Sequence, residues 1–235
     1  MWHEKVKSLQ VLGWCMSAPS SEDLWPSLDE SLGRQPCFPS GSVWSVLPTL
    51  KGQMSDMLTE MKSRYRRKKG TYIDDSNGII HIDESAIIEP GVYIIGPAYI
   101  GPNAIIRHGA YIREYSWICA NALVGHSSET KHSILLPGAK APHFNYVGDS
   151  VLGPNVNLGA GVKLSNLRND GGEVHVRIEG ERIASGLRKF GAIIGEGSQL
   201  GCNAVTNPGV VLGARCMVMP NTTVTGIYDS DSKIG

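Results

Sequence analysis

The sequence has no net charge: 22 Lys and Arg stand against 22 Asp and Glu in 235 residues. As a whole it has nothing to steer it to nucleic acid or to an anionic membrane. It also lacks a long apolar run, since no stretch approaches the roughly 18 residues a spanning helix needs. The N-terminal MWHEKVKSLQVLGWC has no sustained apolar segment ending in a small-residue cleavage site, so no leader is expected. Cysteine is sparse and unpaired: five residues, an odd number without metal-ligand spacing, argue against a disulfide framework and for a reducing cytoplasm.

What is present is a six-residue repeat. Stepping by six from Ile82 gives Ile88, Ile94, Ile100, Ile106, Ile112, Ile118 and Val124. Four places after each comes a small residue: Ala86, Val92, Ala98, Ala104, Ala110, Ser116, Ala122, Ser128. The pattern returns at Leu152, Leu158 and Leu164, and again from Ile194 through Leu200, Thr206, Leu212, Val218 and Val224. Each hexad reads as one short strand and one corner, with the aliphatic residue inward, the small one beside it and Gly or Asn at the corner. Three hexads close a triangular coil, and coils stack at strand spacing, ~4.8 Å. About seventeen hexads predict five to six coils, a prism on the order of 27 Å tall. The period of six, with recurrent Gly and Pro, excludes a helical reading. Cys216 fills a small interior slot and Cys119 reads likewise as packing.

Residues 1–78 differ, with prolines at 19, 26, 36, 39 and 48 and four of the five tryptophans. They read as a helical or linker segment ahead of a repeat domain spanning 79–235. Met54, Met57, Leu58, Met61 and Tyr65 share one face at helical spacing over 54–65, a stripe for packing on the prism or a neighbouring subunit. The basic run KSRYRRKK at 62–69 reads as a solvated helix end, with a polyanion site as the sharper alternative.

Two interruptions carry the chemistry-bearing residues. The first, about 129–146, offers Glu129, Lys131, His132, His143 and Tyr146, and it reads as a loop leaving the prism. The second, about 166–192, alternates Val174, Val176 and Ile178 with polar residues and turns back at EGER, a projecting hairpin. A histidine beside an apolar wall can act as a general base near neutral pH. Arg113 and Lys131 suit a phosphate. His108 and His126 lie one coil apart and His132 follows, which raises a three-histidine metal site like that of hexapeptide-repeat carbonic anhydrases. Their outward hexad position favours a surface pair, and no metal is expected.

From about 82 to 226 the chain resembles the acetyltransferase half of the bifunctional N-acetylglucosamine-1-phosphate uridylyltransferase/glucosamine-1-phosphate N-acetyltransferase family. The stretch GAKAPHFNYVGDSVLGPNVNLGAG, 138–161, carries the resemblance. It implies an all-β fold, a left-handed parallel β-helix, and a cytoplasmic homotrimer that takes acetyl-CoA and an amino-sugar phosphate. It implies His143 as catalytic base, Asn166 as the residue positioning the amino sugar, and Glu129 as a carboxylate near the histidine. Arg113, Lys131, Tyr146 and Asn157 correspond to substrate contacts. Ala160, Cys202 and Pro220 fall at acetyl-CoA positions, where many members have serine for Cys202 and alanine for Pro220. Asn-Leu-Arg at 166–168, followed by a long hairpin, is similar to the archaeal-type enzymes. Nothing in 1–80 resembles the nucleotidyltransferase half's LxAGxGxR loop, so no uridylyl transfer is expected from this chain. Two further readings stand beside this one: a non-catalytic sugar-phosphate-binding trimer serving a separate nucleotidyltransferase, and an acyl-carrier-protein-dependent acyltransferase.

Overall fold

A computed structural model describes residues 18–61, 69–178 and 180–235. The repeats form a left-handed parallel β-helix with three flat faces, each a sheet of eight hydrogen-bonded parallel strands. The first face runs from Tyr72–Asp74 to Thr223–Val224, the second from Ile80–Ile82 to Ile227–Tyr228, and the third from Ile87–Ile88 to Lys233–Ile234. Inward residues of successive coils stack in register, as Ile94 on Ile112 and Ile112 on Thr130. Ile88, Ile94, Ile100, Ile106, Ile112 and Ile118 are at most 1% exposed, so each contributes roughly 1.5–3 kcal/mol of burial. The corners need left-handed backbone, and one column of them is Asn103, Asn121, Gly138 and Asn155.

There are about eight coils where strict counting expects five to six, giving a prism ~34 Å tall at strand spacing. Six-residue steps miss the end strands, such as Tyr72–Asp74 and Lys233–Ile234. They also miss the strands where the step shortens. Thr130 pairs with Ile112 and Leu135 with Ile118, so the corner between first and second face loses one residue there. Val147 to Leu152 repeats the five-residue step.

The same slip corrects the reading of 129–146 as a loop leaving the prism. Glu129–Lys131, Ser133–Leu135, Lys140–His143 and Tyr146–Gly148 are consecutive strands of the solenoid. The repeat did not break; its period became 17 residues, as Lys140 paired with Leu123 shows. The second interruption does leave the prism, as His175–Ile178 paired antiparallel with Glu181–Ala184. It folds back instead of projecting freely, because Val174 and Val176 are 1% and 0% exposed in an apolar cluster with Phe190 and Val211.

That cluster also holds the N-terminal segment. Helix α1, Ser21–Leu24, is closed by a Ser20/Asp23 capping box. Helix α2, Val46–Thr59, lies on the second face with Val46, Leu47, Leu50, Met54 and Leu58 buried among Tyr99, Trp117, Ile134, Val151 and Ile193. Pro48 sits in its first turn, where no amide is needed. The apolar stripe expected over 54–65 therefore starts eight residues earlier, and the helix stops at Thr59. Tyr65 and nearly all of the basic run fall outside the described residues. Trp25 Nε1 donates to Ile194 O (3.0 Å) and Trp117 Nε1 to Arg34 O (3.0 Å), tying segment to prism at two heights. No helix among the described residues is long and apolar enough to cross a membrane.

Candidate active site

The corner between the third and first faces carries the residue implied as base. His143 ends the strand Lys140–His143 and is exposed. The turn after it is held by buried Asn145. Its Oδ1 accepts from the His143 amide (2.9 Å), and its Nδ2 donates to Gly159 O (2.8 Å). Phe144, left-handed at φ 53°, lies edge-on to the His126 ring. Ladder bonds continue along this corner: Gly161 N to His143 O, Asn203 N to Ala160 O, and Asn221 N to Cys202 O. His143, Ala160, Cys202 and Pro220 thus occupy equivalent places in successive coils, one above the other. Above them stand His126 and His108, rings stacked at 5.7 Å, each Nδ1 bonded to a carbonyl of the preceding coil. His132, the third histidine raised for a metal site, lies at a different corner and bonds Asp149 instead.

The first face supplies charge next to that corner. Its outward row runs Tyr72, Tyr93, Tyr111, Glu129, Tyr146, Lys163. Arg113 Nη1 donates to Glu129 Oε1 (2.9 Å), and the guanidinium lies over the Tyr111 ring. That bond, with the Glu129 and Glu114 charges, raises the Arg113 pKa. Glu129 is therefore engaged with Arg113; no hydrogen bond joins it to His143 among the described residues. Burial lowers the Lys131 pKa, and the ammonium of Lys189 and the guanidinium of Arg113 lower it further. Three cations thus lie together at the end of this face, an arrangement that suits an anion.

Tyr146 and Asn166 cross over Gly148. A Cβ there would stand 2.6 Å from Tyr146 Oη and 2.8 Å from Asn166 Nδ2, so only glycine lets the two side chains meet. Asn166 donates through Nδ2 to Asp149 Oδ2 and lies beside the Tyr146 hydroxyl. Burial, then the nearby Glu129 and Asp149 carboxylates, raises the Tyr146 pKa and keeps the phenol protonated.

One chain thus brings together Arg113, Glu129, Lys131, Tyr146 and Asn166 on the first face, with His143, Ala160, Cys202 and Pro220 along its bordering corner. Asn157 stands apart: it pairs with Lys140 and Gln199 on the third face. The sequence reading missed Lys189, Asn145 and Asp149, and it singled out His132 without its link to Asp149. Lys189 follows the hairpin, some 58 residues from Lys131 in sequence, and only the return of the chain places them together. Asn145 and Asp149 lie in the singled-out stretch, but a polar residue at a corner ordinarily signals only a turn.

The bacterial transferase hexapeptide pattern, six repeats, matches residues 79–114 and 191–226. The chain is 37% identical over 186 residues to the bifunctional sugar-1-phosphate nucleotidylyltransferase/acetyltransferase of Sulfurisphaera tokodaii, covering 78% of this chain and 45% of the relative. It is 40% identical over 106 residues to the bifunctional protein GlmU of Methanococcus aeolicus, covering 45% and 26% respectively. The chain therefore spans less than half the length of these curated relatives. Among solved structures, the acetyltransferase domain of PglB from Neisseria gonorrhoeae in complex with acetyl coenzyme A aligns over 88% of this chain and 80% of that one. Its identity is 14% and its TM-score 0.26. By its repeats and its relatives, the chain belongs to the hexapeptide-repeat family, with sugar-1-phosphate nucleotidylyltransferase/acetyltransferases as its homologues.

Proposed function

We infer that the protein is an acetyl-CoA-dependent N-acetyltransferase acting on an amino-sugar phosphate. The observation that carries this reading is the meeting of an exposed His143 with a cationic, hydroxyl-bearing face one corner away. Arg113, Lys131 and Lys189 hold the phosphate, while Tyr146 and Asn166 orient the sugar so that its amine faces His143. The corner of Ala160 and Cys202 suits acetyl-CoA: its side chains are small, and the Ala160 amide stands outside the ladder, whose bonds are made by Gly159 and Gly161. When bound there, acetyl-CoA supplies the acyl group as a thioester. His143 takes the proton as the amine nitrogen bonds the acyl carbon, the carbon–sulfur bond breaks, and the departing thiolate takes up that proton to leave as the free thiol. The Ala160 amide faces the oxygen where negative charge gathers.

Among the described residues, α2 and the hairpin cover the second face and nothing covers the first and third, where Tyr72, Tyr93, Ile87, Met217 and Met219 are each at least 40% exposed. A threefold assembly that sets the first face of one copy against the third face of the next covers both. It also brings Asn157 of one copy toward Lys131 of another, completing the set that a single chain leaves divided. A non-catalytic sugar-phosphate-binding trimer draws its support from Cys202 and Pro220, the departures at the acetyl-CoA positions. Thiol release from acetyl-CoA, measured across amino-sugar phosphates and nucleotide-activated amino sugars, separates the two. Turnover with none of them rejects the acetyltransferase.

A further inference from the structure

The corner between the first and second faces holds a column that the substrate contacts do not explain. Tyr115, His132 and Asp149 occupy the same corner of three successive coils, each in left-handed backbone at φ 62°, 46° and 46°. Two of the three are bulky, at positions where this solenoid otherwise uses Gly or Asn for many of its corners. Their side chains form a chain of contacts. Lys51 of α2 lies over the Tyr115 ring at 5.0 Å, and that ring meets His132 edge-on. His132 Nδ1 bonds Asp149 Oδ1 at 2.8 Å, and Asp149 Oδ2 accepts from Asn166 Nδ2. Among the described residues His132 Nε2 is buried without a hydrogen-bond partner, and Nδ1 is the nitrogen that bonds. Asp149 is 5% exposed, and both of its oxygens are engaged.

We propose that His132 and Asp149 are positioning residues that fix the Asn166 amide for the acceptor sugar, a role resting on the acetyltransferase reading. A carboxylate accepts only, so Asp149 forces the NH₂ end of Asn166 inward and leaves its carbonyl oxygen free to accept from a donor group of the substrate. The His132 donor holds one Asp149 oxygen, so the other stays aimed at Asn166. Without it a buried carboxylate is left short of a partner and turns to find one. Neither residue touches substrate; both act through Asn166.

The test exchanges one donor at constant shape. His132→Asn and His132→Asp both tolerate left-handed backbone, and above the pH at which two adjoining carboxylates share a proton only the asparagine donates to Asp149. In the full-length protein, His132→Asp should raise KM for the amino-sugar phosphate tenfold or more, with KM for acetyl-CoA unchanged within twofold. His132→Asn should stay near wild type. Solvent exchange of the Asn166 side-chain amide, read by NMR with asparagine-selective ¹⁵N labelling, should accelerate at least tenfold in His132→Asp and little in His132→Asn. A folded His132→Asp protein with unchanged acceptor KM and unchanged amide exchange overturns the proposal. If wild type transfers acetyl to no acceptor, the acetyltransferase reading fails, and amide exchange alone decides: protection lost on His132→Asp supports the positioning role, and protection kept overturns it.

Discussion

At the scale of single residues, His143 and Tyr99 show what one side chain contributes in two different settings. His143 is exposed at a corner with its backbone clamped by Asn145 and Gly161, a fixed frame for a group that must exchange protons. As general base its loss removes proton transfer and little binding, since the cations are elsewhere. His143→Ala should lower kcat by roughly 10²–10⁴ while acceptor KM changes little. Steady-state kinetics showing near-normal kcat would refute the base. Tyr99 is 2% exposed beneath the N-terminal segment, and burial raises its phenol from 10.0 to about 12. Below pH 10 the phenol is protonated in both folded and unfolded chains, and its contribution is fully present. Between pH 10 and about 12 only the unfolded chain releases the proton, so stability falls as pH rises, by about 3 kcal/mol in all. Urea midpoints measured across that window should fall less steeply for Tyr99→Phe than for wild type. Equal slopes would discount Tyr99.

At the scale of elements, α2 acts as the outer layer that makes one face of the prism into an interior. Leu50 is fully buried between helix and second face, so Leu50→Ala leaves a cavity at a seam and not in the repeat core. It should cost roughly 2–5 kcal/mol, read as a lowered urea midpoint of the whole protein. Loss of less than about 0.5 kcal/mol would mean that the helix is not clamped to the prism. The hairpin has a double use: Val174 and Val176 anchor it in the same cluster, and the chain leaving it bridges back to Leu167 and sets Lys189 beside Lys131. A cation is thereby added to the first face from a distant part of the chain.

At the scale of the whole molecule, the covered second face and the bare first and third faces predict a homotrimer with parallel prism axes. Light scattering should give three chains per particle at micromolar concentration, and a monomer would remove the intersubunit site. The division of residues gives a sharper check. Lys131→Ala and Asn157→Ala should each be impaired, because each damages every site of its own homotrimer. Refolded together at equal amounts, they should recover activity in about a quarter of sites, where an intact first face meets an intact third face. No recovery would place both residues in one chain's site.

The six-residue period determined the solenoid by itself, because a stacked coil admits only an inward aliphatic, a small neighbour and a left-handed corner at each turn. Ile82 through Ile118 state that requirement in plain order. The stretch 138–161 likewise pointed, by resemblance, to His143, Tyr146 and Asn157, with Asn166 five residues beyond it. The period could not show that a five-residue step keeps the chain in the prism, because one fewer corner residue leaves every inward side chain inward and changes only the turn. Nor could it place Lys189 against Lys131, join His132 to Asn166 through Asp149, or set Asn157 on another face from Arg113. Those relations depend on which coil lies above which and where an inserted hairpin returns. Only the closed tertiary structure decides that, by stacking residues 17, 18 or 42 positions apart at one strand spacing.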